Sequence, residues 1–305
     1  MRILVVGAGS TGGYYGARLA NAGRDVTFLV RAARREQLQR DGLQVVSQHG
    51  DLTLQQPQLV TADELNAPYD VLLFTVKAFA MDAAIADIAP AVGPATMILP
   101  VLNGMHHIAA LVARFGETPV LGGVAFISTE IDARGRIVQL NAPHDLMYGE
   151  RSGERTERVL ALDALMQNAG FTARLSTRIV AAMWEKWQTL ASLGGITCTM
   201  RGTIGDIVAA PGGLDFINAF FSECKAIATA AGFPPDEAFH NRTHGMLTTA
   251  GSPLTSSMYR DLVSGSDVEA DQILGDLLVH ASTTGTPAPL LSAAYANLKV
   301  YQSRR

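Results

Sequence analysis

Arg2-Ile3-Leu4-Val5-Val6 is a short apolar run, and Gly7-Ala8-Gly9-Ser10-Thr11-Gly12 follows it without a break. A stretch of small residues with helical character comes next. A second apolar run, Val26-Thr27-Phe28-Leu29-Val30, ends at Arg31. Strand, G-x-G-x-x-G, helix, strand is the fingerprint of a dinucleotide-binding unit. Each glycine has its own task. Gly7 permits the tight turn out of the strand, Gly9 lets a pyrophosphate approach the backbone, and Gly12 lets the helix pack close to the sheet. Unpaired N–H groups and the helix dipole then face the phosphates. Gly7, Ala8, Gly9, Ser10, Thr11 and Gly12 are therefore the expected cofactor turn.

The end of the second run selects the cofactor. A carboxylate there would bind a ribose 2′-hydroxyl and favour NAD. This chain has Arg31, with Arg34 and Arg35 behind it and no carboxylate before Glu36. A guanidinium pairs with a 2′-phosphate through forked, charge-assisted contacts, so Arg31 points to NADP. Arg34 and Arg35 fit a solvated helix face equally well.

At 305 residues the chain is long for one core, and two domains are expected. Its composition, 48% hydrophobic and 17% charged, is that of an ordinary globular protein. A net charge of −4, with no basic stripe, argues against nucleic acid as a partner. Two cysteines, Cys198 and Cys224, cannot make a disulfide scaffold and read as buried thiols. No apolar run is long enough to span a bilayer, and the first strand opens the chain, so a reducing cytoplasm and no membrane partner are expected.

The first part of the chain alternates. Asp70 to Val76 is a continuous apolar strand, as when helices cover both faces of a parallel sheet. Met97 to Leu102 is another, followed by Asn103-Gly104. After Ser176 no convincing strand remains. Ile179–Leu193, Leu214–Ala231, Pro235–Leu247 and Asp267–Thr283 read as helices, with loops at 202–205, 211–213, 251–253 and 285–289. The expected class is α/β, with an all-α domain after a boundary near Leu175. In two-domain enzymes of this kind the substrate sits in the cleft, at the carboxyl ends of the strands.

Several polar residues call for a reason. Lys77 and Asn103 both follow strand ends, where ligands of open α/β sheets bind. Lys186 sits among apolar residues between Trp184 and Trp187. Such a lysine is paired, snorkelling or functional, and desolvation would make it a usable proton donor. The residues alone do not choose between that role and local pairing with a glutamate of its own helix. Ser257 could cap a helix, and Glu269 could lie on an exposed helix face. His240 and His244 have the i, i+4 spacing of metal ligands, but no third ligand accompanies them, so no metal is expected. His106 and His107 follow the Asn-Gly turn, and at most one is expected to line a site.

Taken in order, these residues resemble the ketopantoate reductase family (2-dehydropantoate 2-reductase). The likeness rests on Gly7 to Gly12 with Arg31, Thr75-Val76-Lys77, Asn103-Gly104, Trp184-Glu185-Lys186, Ser256-Ser257-Met258 with Asp261, Glu269 with Asp271, and Gly285-Thr286-Pro287. It implies a Rossmann-type NADP-binding domain over 1–175 and a helical substrate and catalytic domain over 176–305. It also implies NADPH-dependent reduction of a 2-keto acid to a 2-hydroxy acid, and a homodimer is an expectation. By the same resemblance Lys186 is the general acid, and Glu269 orients the lysine and the substrate hydroxyl. Asn103 contacts substrate and the nicotinamide side, Lys77 lies by the nicotinamide ribose, and Ser257 holds the substrate carboxylate.

One departure stands out. Members that reduce ketopantoate carry asparagines four and eight residues after the lysine; here the positions hold Leu190 and Gly194. Two polar contacts are missing unless Gln188, Thr189 or Ser192 supplies them. An apolar Leu190 favours a bulkier or less hydroxylated keto acid. Opine and 3-hydroxy acid dehydrogenases share the two-domain layout but lack the Trp-x-Lys and Ser-Met…Glu pairing. A non-catalytic NADP-binding regulator is the remaining alternative, and only Leu190 and Gly194 support it.

Overall fold

The computed structural model describes residues 1–305. Packing divides the chain into two compact units. One is Met1–Leu102 with His107–Val180, and the other is Asn103–His106 with Ala181–Arg305. The first unit thus runs past Leu175, and the short Asn103–His106 segment packs with the second.

In chain order the first unit contains β1 (Arg2–Val6), α1 (Ser10–Asn21), β2 (Asp25–Leu29), α2 (Ala32–Asp41), β3 (Leu43–Val46), β4 (Leu52–Leu54), β5 (Gln58–Val60), β6 (Val71–Phe74), α3 (Met81–Asp87) and β7 (Met97–Pro100). It continues with α4 (His106–Phe115), β8 (Gly122–Phe126), β9 (Thr129–Ile131), β10 (Ile137–Gln139), β11 (Asp145–Gly149), α5 (Glu157–Met166) and β12 (Thr172–Leu175). The main sheet is parallel, in the order β5-β2-β1-β6-β7. Two smaller sheets, β4-β3-β10-β9 and β12-β11-β8, complete the unit.

Alternation along the strands explains their unbroken apolar character. Ile3, Val5, Val71, Leu73 and Leu99 point into one core, together with Tyr14, Tyr15 and Leu19 of α1. Leu4, Val6, Leu72, Phe74 and Ile98 point into the other, together with Met81 and Ile85 of α3 and Leu111 of α4. With a period of two and helices on both faces, few strand positions are left for a polar residue; Thr27 of β2, which donates to Gln58 of the edge strand, is one. The order reverses between β2-β1 and β1-β6, so the carboxyl ends of β1 and β6 open at the switch point of the sheet.

The second unit contains α6 (Ile179–Met200), which starts at the end of the first unit, then α7 (Ile204–Ala209), α8 (Gly213–Ala230), α9 (Glu237–Thr248), α10 (Ser257–Val263), a π-helical segment (Asp271–Gly275), α11 (Asp276–Thr284) and α12 (Pro289–Ser303). No helix in the chain is long and apolar enough to cross a membrane.

Three local readings change. α7 rises from what reads as a glycine loop because Thr203 and Asp206 form a capping box. α12 begins at Pro289, which reads as loop, but proline suits the first helical position. The Glu223 carboxylate also accepts from the N–H groups of Leu290 and Leu291, so that helix end is capped from a neighbouring helix. The single helix expected from Asp267 is instead non-helical as far as Glu269, then π-helical, then α-helical. Glu269 therefore stands at a helix entrance, not on an exposed helix face.

Candidate active site

The cofactor turn is built by contacts with β6. Gly7 has φ +95°, which the tight exit from β1 requires and which other residues rarely adopt. Thr75 Oγ1 donates to the carbonyls of Val6 at 2.9 Å and Gly7 at 3.0 Å, locking the turn to the end of β6. A Cβ on Gly12 would lie 2.0 Å from that hydroxyl and 2.3 Å from the Gly7 carbonyl, so only glycine allows this approach. Around Gly9 nothing lies within 4 Å of a Cβ position, and the turn is open there. Gly9 is the N-cap of α1 and supplies no capping side chain. The first amides of the helix, from Ser10, Thr11 and Gly12, are thus available to an anion. Ala8 is buried beneath them.

A cavity of about 320 Å³ opens beside this turn, lined by Val6, Val30, Arg31, Asp63, Val76 and Ala84 among others. Of the three clustered arginines, Arg34 donates to Gln37 and to the Gly135 carbonyl, and Arg35 pairs with Glu64 at 2.8 Å. Arg31, at the N-cap of α2, lines the cavity. Asp63 in the same wall sits in a 3-10 turn capped by Thr61 and Glu64, a motif that marks the turn and not a ligand. Lys77 is exposed just beyond β6, its Nζ 5.9 Å from the centre of the Phe79 ring.

In the second unit, Asn103, Lys186 and Glu269 form one cluster, though they are distant in sequence. The Asn103 amide donates to Glu269 Oε2 at 3.0 Å. Lys186 is part-buried on α6. Burial pulls its ammonium down to about 8, against the Glu269 carboxylate, which acts to raise it.

The π-helical segment positions this cluster, and the sequence carries no signal for it. π turns release backbone groups from the regular ladder and recur at functional sites. Here the buried Trp187 Nε1 donates to the Ile273 carbonyl at 2.9 Å, tying the segment to α6 one residue from Lys186. Gly104 has φ +76°, and a Cβ there would lie 2.4 Å from the Gln272 carbonyl. The Asn103-Gly104 turn thus lies directly against the π segment. Trp184 stacks on Phe233 with ring centres 5.1 Å apart, fixing the other side of the lysine's helix turn.

Ser256, not Ser257, caps α10, accepting from the Tyr259 N–H at 2.9 Å. Ser256 also bonds Thr197 of α6 at 3.0 Å. Ser257, one residue on, is exposed. His106 is exposed and its charge lowers the Asp276 carboxyl, though burial holds that group above its ordinary range. His107 is buried. His240 and His244 stack on each other, and His244 Nε2 pairs with Asn218 Oδ1 at 2.9 Å. Cys198 and Cys224 are buried, and burial pushes both thiols up to about 12.

Residues 3–153 match the family model described as ketopantoate reductase PanE/ApbA, and residues 178–302 match its C-terminal model. The chain belongs to the ketopantoate reductase family. An uncharacterized oxidoreductase, YkpB, of Bacillus subtilis is 35% identical over 305 residues, covering all of both chains. A 2-dehydropantoate 2-reductase of Mesorhizobium japonicum is 29% identical, covering 97% of this chain and 96% of its own. The crystal structure of 2-dehydropantoate 2-reductase from Methylococcus capsulatus superposes with a TM-score of 0.88 at 29% identity, covering 100% of this chain and 97% of that one.

Membership makes this chain an oxidoreductase of the CH–OH class that reduces a 2-keto acid, with NADPH as cofactor. The first unit fits that dinucleotide. The cradle at Gly12 would be filled by any Cβ, the turn is open at Gly9, and a guanidinium lines the adjoining cavity.

Proposed function

We propose that this ketopantoate reductase family member reduces a 2-keto acid with Lys186 as its general acid. The observation that carries the reading is the Lys186–Glu269–Asn103 cluster, in which one carboxylate both raises the lysine and fixes the amide. NADPH, when bound, supplies the hydride and its electron pair to the carbonyl carbon. As that bond forms, the carbonyl π pair moves to oxygen. The Lys186 ammonium stabilises the growing charge and gives up one proton, leaving a hydroxyl group and a neutral amine.

The other residues divide the remaining work. Gly7, Ala8, Gly9, Ser10, Thr11 and Gly12 seat the pyrophosphate, Arg31 pairs with the 2′-phosphate, and Lys77 and Asn103 serve the nicotinamide side. Asn103 also meets the substrate, Glu269 orients Lys186 and the product hydroxyl, and Ser257 binds the substrate carboxylate. The exposed valines Val263 (67%) and Val279 (63%) support self-association of the second unit, which sedimentation at several concentrations tests. Two unpaired thiols fit a cytoplasmic setting, which fractionation tests.

The test of the reaction is NADPH oxidation, followed by absorbance, with a panel of 2-keto acids. Turnover of at least one member supports the reading. Tight NADPH binding with no turnover of any member overturns it in favour of a non-catalytic NADP-binding regulator.

A further inference from the structure

We propose that the preferred substrates are 2-keto acids whose side chain is branched and apolar, and that Leu190, Gly194 and Met258 select them over hydroxylated ones. This deepens the reductase reading and rests on it.

On α6, residues four and eight beyond Lys186 lie on the same side of the helix. Those residues are Leu190 and Gly194, so the surface beside the lysine is apolar. The end of a methionine fills part of it. A Cβ on Gly194 would lie 2.6 Å from Met258 Cε, so the methionine methyl occupies the space that a side chain at 194 would take. Met258 is buried and is held there by the start of α10, which the Ser256–Thr197 hydrogen bond anchors to α6.

The buried polar residues of α6 lie off this face: Gln188 and Ser192, two and six residues beyond Lys186, fall a third of a turn or more from it around the helix. Gln188 is 2% exposed and Ser192 is fully buried. Thr189, on the other flank of Lys186, donates its hydroxyl to the Glu185 carbonyl at 3.0 Å. A keto acid with its carbonyl at Lys186 and its carboxylate at Ser257 therefore lays its side chain on Leu190 and Met258. A hydroxyl on that side chain loses water and gains no partner, which disfavours it, whereas methyl groups gain contact.

One pair of substrates isolates the effect. Trimethylpyruvate is ketopantoate with a hydrogen in place of the hydroxyl. Wild-type kcat/KM is expected to favour trimethylpyruvate by roughly ten- to a hundredfold, the range a single unpaired buried hydroxyl implies. Leu190→Asn should shrink that ratio by raising turnover of ketopantoate and lowering that of trimethylpyruvate. Gly194→Asn combined with Met258→Ala, which frees the space, should shift it the same way. The wild-type ratio needs no variant to fold. Equal or better turnover of ketopantoate by the wild type overturns the inference while leaving the reductase reading intact. An unchanged ratio in a folded Leu190→Asn enzyme also overturns it. Failure of every keto acid tested is instead the failure of the reductase reading.

Discussion

The side chain of Asn103 donates to Glu269, joining the turn after β7 to the entrance of the π segment. Glu269 is also the carboxylate that raises the Lys186 ammonium against its burial. A single acidic group therefore couples the position of an amide to the charge of an amine.

On the proposal that Lys186 is the proton donor, reduction consumes its protonated form, and burial places the loss of that form near pH 8. kcat/KM for keto acid reduction should be level below that pH and fall about tenfold per unit above it, measured from rate profiles at low substrate. Stability follows the same group. Between its folded value of about 8 and the ordinary 10.5, the unfolded chain binds more protons than the folded one. The contribution of Lys186 to stability therefore rises with pH across that window and is lost as pH falls through 8.

Glu269→Gln removes the charge that raises Lys186. The alkaline fall in kcat/KM should move to lower pH than in the wild type, and the rate at neutral pH should drop. A profile with an unmoved break and an unchanged rate would show that the carboxylate does not act on the lysine.

Arg31→Ala removes the guanidinium from the cavity wall while leaving Arg34 and Arg35 in their own contacts. A hydrogen bond to a charged group is worth about 1.5–3 kcal/mol. Titration by nicotinamide fluorescence should show NADPH binding weakened roughly ten- to a hundredfold, with NADH binding little altered.

Trp187→Phe keeps the ring packing but deletes the donor to the Ile273 carbonyl. Losing that buried hydrogen bond should cost about 0.5–1.5 kcal/mol, read as a lowered thermal midpoint. Because the π segment also backs Gly104, KM for the keto acid should rise as well.

The dinucleotide half of the molecule is legible in the sequence because its determinants are local. Gly7 and Gly12 sit within one turn, and the apolar runs of β1, β2, β6 and β7 record burial on both sheet faces. The helical half is legible only as helices. Nothing near Glu269 announces a π turn, since its stabilising partner, Trp187, lies in another helix. The cap of α12 is likewise supplied by Glu223, far back in the chain. Met258 reads as a member of a motif, while its place over Gly194 is a contact between helices. The wall containing Asp63 comes from a short 3-10 turn whose capping box, Thr61 with Glu64, is a local signal for a turn and not for a cofactor.

The most direct test of the central claim is single-turnover reduction by Lys186→Ala with NADPH and its preferred keto acid, alongside NADPH binding. General acid catalysis contributes roughly a hundred- to ten-thousandfold, so the hydride-transfer rate should fall by that factor while NADPH affinity stays at the wild-type value. An undiminished rate in the variant would contradict the assignment of Lys186 as the proton donor.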